Sequence, residues 1–138
     1  MRLSISEILD RASNMKTKKE KIDFLRGNDN SALRNILRYA YDPSIKFMLP
    51  EGAPPYKRSE FVDGHGMLYS ESRKLYLFVE GGNPNLTPLK REMLFINFLE
   101  SLDPKDADLM INVKDKKIPY KGINKALIKE TFPGLINE

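Results

Sequence analysis

The sequence predicts an all-α (mainly α) fold: one helical domain over residues 1–138, a bundle of about six helices with a long Pro/Gly-rich loop at about 50–66. Three observations lead there. Apolar residues recur at helical spacing through the first and last thirds of the chain. Capping residues stand where those runs begin. Proline and glycine fall between the runs, or at a first helical position where proline is tolerated.

Ser4 and Glu7 form an S-x-x-E capping box, each side chain able to satisfy a free N–H of the first turn. Ile5, Ile8, Leu9 and Ala12 follow as one stripe. Thr17 and Glu20 repeat the box, with Ile22 and Leu25 expected inward and Gly27 expected at C′. A third stripe runs Leu33, Ile36, Leu37, Ala40 and stops at Asp42-Pro43. The run "IKFML" reads as a short strand or an extended stretch. "PEGAPPYKRS" has no regular reading, because Pro54 and Pro55 lack amide donors and restrict the residues before them. A loop of this length is uncommon in a folded domain unless it has a function or is disordered.

Residues 73–79 fit both periods, Leu75, Leu77 and Val79 as a strand and Leu75, Phe78 and Val79 as a helix face. Ser70 as cap and Gly81 as terminator favour the helix. Thr87-Pro88 opens a surer one. From Leu89 to Leu102 it is apolar on nearly every side (Met93, Leu94, Phe95, Ile96, Phe98, Leu99), which predicts a buried central helix. Asp103-Pro104 starts another, with Ala107, Met110 and Ile111 inward. The last runs from about Ile123 to Thr131, where "TFPGLI" breaks it and leads out.

Composition narrows the function. The chain lacks cysteine, which excludes disulfides and thiolate metal sites and suits a reducing compartment. No apolar run reaches the ~18–20 residues of a membrane span, and residues 1–15 do not read as a signal peptide. The expected location is cytoplasmic. His65, in "DGHGML", is the single histidine, so a histidine-based metal cluster or acid–base pair is not available. Gly64-x-Gly66 lacks the third glycine and the context of a dinucleotide fingerprint. Asp106 and Asp108, two apart, point to different sides of a helix. No catalytic residue, metal, cofactor or small-molecule substrate is inferred.

The net charge of +4 is unevenly placed: from Val113 to Lys129 there are six lysines and one acid, Asp115. Such an excess attracts polyanions, although many basic faces only keep a protein soluble.

Several segments resemble the N-terminal helical DNA-binding domain of the ATP-dependent DNA ligases of T4-like phages. They are "KTKKEKIDFLRGNDNSALRNILRYAYDPSIKFML", "GML" at 66–68, "LTPLKREMLFINFLESL" and "INKALIKETFPGLI". The last is the most specific, since the ligase domain closes on a similar aromatic-Pro-Gly-Leu-Ile. The resemblance implies a helical domain that grips duplex DNA across the minor groove through backbone phosphates. It places Lys114, Lys116, Lys117, Lys121 and Lys125 in the family's basic connection before the last helix, and Lys90 and Arg91 in the turn after Thr87. The ligases' adenylated lysine lies in a K-x-D-G motif. The only Asp-Gly pair here, Asp63-Gly64, has Phe61 at that position, so covalent AMP transfer is not expected. The chain also departs from the family at Asn85-Leu86-Thr87-Pro88, where Arg-x-Leu-Thr-Gly is usual, and in lacking a glycine after Lys114-Asp115.

Two functions follow as expectations. One is a stand-alone, non-catalytic module of a phage, working in the bacterial host cytoplasm, that binds duplex DNA without sequence preference through Lys114, Lys116, Lys117, Lys121, Lys125, Lys90 and Arg91. Of these, Lys116 and Lys117 are expected to face solvent. The alternative is an adaptor that binds a host or phage protein through exposed side chains of the 50–66 loop: Pro54, Pro55, Tyr56 and Phe61.

Overall fold

Ser4 accepts a hydrogen bond from the Glu7 amide at 3.2 Å, and helix α1, Ile5–Ser13, starts there as its capping box predicts. The computed structural model describes residues 3–57 and 67–136, and these form an all-α domain. Thr17 caps α2 (Lys18–Gly27) and Asn30 caps α3 (Ser31–Tyr41) in the same way. Each such cap contributes about 1 kcal/mol. Gly27 is the last residue inside α2 and Asn28 is its C-cap, so Gly27 falls two positions short of the expected C′ site.

The ambiguous stretch is helical, the reading its flanks favour, although Ser70 lies inside a helix and does not cap one. Helix α4 (Met67–Glu71) runs into a 3-10 helix, Ser72–Phe78, and only Val79 is extended, in an isolated antiparallel bridge with Phe47. Three residues per turn put Leu75 and Phe78 on one face, and both are fully buried. The bridge is closed by Met48 N–H to Phe78 O and Glu80 N–H to Lys46 O, each 2.8 Å, so "IKFML" is an extended run.

Helix α5 (Pro88–Glu100) is not buried on every side. Phe95, Phe98 and Leu99 enter the core, where Phe78 meets Phe95 and Phe98 at centroid distances of 5.2 and 5.7 Å. Leu89 and Met93 are 69% and 57% exposed. The layer expected over that face is absent among the described residues.

Helix α6 (Pro104–Lys114) buries Ala107, Leu109, Met110 and Val113, while Ile111 is half-buried. Its Asp106 accepts a hydrogen bond at 3.0 Å from the Ser6 amide, in the first turn of α1, where a carboxylate also suits the helix dipole. Helix α7 (Lys125–Thr131) starts later than expected, with Asn124 as cap and Ile123 buried just ahead of it. Past Pro133 and Gly134 the chain folds back, and Ile136 joins the core at 8% exposure. The bundle is knit by α1 on α2 and α6, α3 on α4 and α6, α5 on α6 and the 3-10 helix, and α2 on α7. Among the described residues no helix is long and apolar enough to cross a membrane.

Candidate nucleic-acid interface

The basic connection between α6 and α7 is built around a left-handed residue. Lys116 has φ 64°, its amide donates to Val113 O at 2.9 Å, and the Lys117 amide donates to Asn112 O at 2.8 Å. That pair of bonds is a Schellman stop for α6, with lysine at the position that normally takes glycine. The Lys116 side chain then turns inward. Its ammonium donates to three carbonyls at the end of α3, Tyr39 at 2.5 Å, Asp42 at 2.9 Å and Ile45 at 2.9 Å. Burial lowers its pKa, with Asp42 opposing and the nearby Lys125 adding to the shift.

Lys116 is therefore an anchor and not the solvent-facing cation expected of it. Lys114 departs in the same way: its side chain is 2% exposed, and its amine donates to Pro50 O at 2.7 Å and Asp115 Oδ1 at 2.6 Å. Arg91 is 6% exposed and donates to Leu86 O at 3.1 Å. Each of the three carries its charge into the fold, where a phosphate does not reach.

The remaining lysines come together with a group that the sequence reading left aside. Lys117 and Lys121 are exposed, Lys129 is exposed on α7, and Lys125 is half-buried one turn before it. Helix α2 packs beside them. Its Lys21 amine donates to Met15 O, and its side chain crosses Gly122, where an added Cβ would sit 2.9 Å from Lys21 Cε. Gly122 has φ +81°, so the turn favours glycine, while the Lys21 side chain end could move aside. Lys18 ion-pairs with Glu130. Arg26 donates to Thr131 O and Glu130 O, each at 3.1 Å, closing the last carbonyls of α7.

The result is one surface from two distant segments. Residues 16–21 carry four lysines and one glutamate, and residues 117–129 carry four lysines, with Asp23 and Glu130 set beside Lys18 and Lys19 in one cleft. The signal was in the sequence: "KTKKEK" places Lys18 and Lys19 in a first helical turn, where the dipole favours acids. Tyr120, within this region, is half-buried against the core. Burial, helped by Asp10, Asp106 and Asp108, pushes its pKa up to about 12. Its ring is a poor stacking platform for bases. Lys90 is exposed, but on α5, whose main partners are α6 and the 3-10 helix.

The proposed adaptor loop is more ordered than expected in its described part. Pro50 O, the Gly52 amide and the Lys57 amide are bonded to Lys114, Asp115 and Glu100, and Tyr56 OH lies 3.5 Å from Asp108 Oδ1. Pro55 is exposed, whereas Pro54 and Tyr56 are half-buried against the body, because those bonds pull the strap down. Phe61 and His65 lie outside the described residues.

These features define a small helical domain with a two-segment lysine face and a pinned proline strap. The chain belongs to a family of unknown function, DUF6433, whose sequence pattern matches residues 8–120. That span takes in α2 and stops short of Lys121, Lys125 and Lys129. No curated protein and no solved structure matches the chain.

Proposed function

We propose that this protein is a non-catalytic, sequence-independent duplex-DNA-binding module of a phage, acting in the host cytoplasm through the surface shared by α2 and α7. The observation that carries the reading is the meeting of the lysines of 16–21 with those of 117–129 across the contact of Lys21 with Gly122. Lysines on a helical surface fit a backbone of phosphates, which supplies affinity without reading sequence. The likeness to the phage ligase domain supports duplex over single strand, as does the half-buried Tyr120. In this reading Lys18, Lys19, Lys117, Lys121 and Lys125 contact phosphates, and Lys114, Lys116 and Arg91 hold the scaffold.

The test is a fluorescence anisotropy titration of one duplex, and of one of its strands alone, across a range of salt. Neutralising 3–5 phosphates gives a log–log slope of about −3 to −4 on duplex. Absence of binding at low salt overturns the proposal, and so does tighter binding to the single strand.

A further inference from the structure

Helix α5 carries more apolar surface than the described residues cover. With Phe95, Phe98 and Leu99 turned inward, the positions at i, i+3, i+4 and i+7 on its outer side are Leu89, Glu92, Met93 and Ile96. These four share one face. Leu89 and Met93, one turn apart, are two of the exposed large apolar side chains of the described residues. Exposed apolar rows of this kind mark interaction sites.

The row does not end on open surface. At Glu92 and Ile96 it runs into a groove of about 300 Å³ between α5 and the strap of residues 49–55, floored by Phe95 and walled by Leu49, Pro54 and Pro55. The strap is held before any partner arrives, by Lys114 on Pro50 O and by Asp115 on the Gly52 amide. A groove fixed in this way spares a ligand the cost of ordering it.

Charge selects the occupant. Glu51 and Glu92 line the groove, and Glu100 lies one helical turn beyond Ile96. Lys90 beside Leu89 and Lys57, whose amide holds Glu100, are exposed at the two ends of the row, but the cation within the groove, Lys114, is shut in and ion-paired with Asp115. The apolar floor thus has an acidic margin, which favours a partner with cationic flanks. A second copy of this chain fits poorly, because two-fold pairing sets equivalent patches together and would bring these carboxylates towards their own copies. A small molecule would fill the groove and leave Leu89 and Met93 bare.

We propose that the groove and the Leu89–Met93–Ile96 row together dock an amphipathic helix of a partner protein, its apolar side flanked by lysine or arginine. A bulky apolar side chain of that helix enters the groove beside Phe95, and the neighbouring residues lie along α5.

The test uses the full chain, isotopically labelled, and a synthetic Leu/Lys helical peptide of about five turns, with a Leu/Glu peptide of the same apolar spacing as control. Saturable amide shifts confined to Gly52, Ala53 and the Leu89-to-Ile96 segment are expected. The Leu/Glu peptide binds at least about tenfold more weakly. Met93→Lys lowers affinity for the Leu/Lys peptide about tenfold with unchanged melting, and Met93→Leu keeps it. Scattered shifts, equal binding of both peptides, or no saturable binding overturn the proposal. It is also overturned if the free chain sediments as a dimer that Met93→Lys dissociates, or if an apolar dye saturates the groove while neither peptide binds.

Discussion

The Lys116 ammonium lies 2.5 Å from the carbonyl oxygen of Tyr39, 77 residues earlier in the chain, and this contact decides what the residue does. Together with its bonds to Asp42 O and Ile45 O it ties the α6–α7 turn to the end of α3. The backbone of Lys116 is held left-handed to make this possible. Lys116→Ala is therefore expected to lose about 1.5–3 kcal/mol of stability, the worth of charge-assisted bonds to otherwise buried acceptors. Lys116→Gly should lose less, since glycine relieves roughly 1 kcal/mol of left-handed strain. Urea unfolding of both variants checks the order. An Ala variant as stable as the wild type would show that the three bonds contribute nothing.

The DNA-binding reading makes a separable prediction at Lys19 and Lys121, both exposed and on the two segments that meet. Lys19→Gln and Lys121→Gln should each flatten the salt slope by about 1. Stability should change by about 0.5 kcal/mol or less. Lys90→Gln, on α5, should leave the slope as it is. Anisotropy at four salt concentrations measures all three. If Lys90→Gln alone changes the slope, the DNA lies on a different face.

Much of the helical frame was legible because its signals are local. Ser4, Thr17 and the Thr87-Pro88 and Asp103-Pro104 pairs each announce a helix within four residues of themselves. What the sequence hid depends on which side of an element is covered. Lys114, Lys116 and Arg91 look like surface cations in a string of letters, and only the approach of Pro50, α3 and Leu86 turns them into internal donors. The apolar run of α5 reads as buried all round, although the described residues supply neighbours for only part of its circumference. The α2 lysines were visible as a run, but their adjacency to Lys121 rests on Gly122 passing over Lys21, a contact between residues about a hundred positions apart.

The two sides of α5 predict opposite responses to the same kind of truncation. Phe95 and Phe98 are 2% and 5% exposed and meet Phe78 in one aromatic cluster. Replacing either with alanine should cost about 3–5 kcal/mol, the lost burial together with the cavity left behind. Met93→Ala, at 57% exposure, should change stability by no more than about 0.5 kcal/mol. Thermal unfolding of the three variants makes the comparison. A large loss from Met93→Ala would mean that this face is already covered in the free protein.

Acid titration offers a last test, at the start of α3. Arg34 grips Asp29 with both arms of its guanidinium, Nε to Oδ1 at 2.6 Å and Nη2 to Oδ2 at 2.7 Å. These bonds hold the Asp29 carboxyl below the ordinary carboxylate range. Because the folded pKa is the lower one, the pair's contribution to stability is present above the unfolded value of about 3.9. It is lost as pH falls through the folded value. The two side chains are 49% and 34% exposed, so water screens the pair and the effect on overall stability is small. Its signature is instead in the titration of the carboxyl carbon of Asp29 by NMR. Arg34→Lys keeps the charge but not the two-armed geometry, and should raise the Asp29 pKa part of the way towards its ordinary value. Arg34→Gln removes both and should raise it further. An Asp29 titration that both variants leave unmoved would mean that the bridge does not persist in solution.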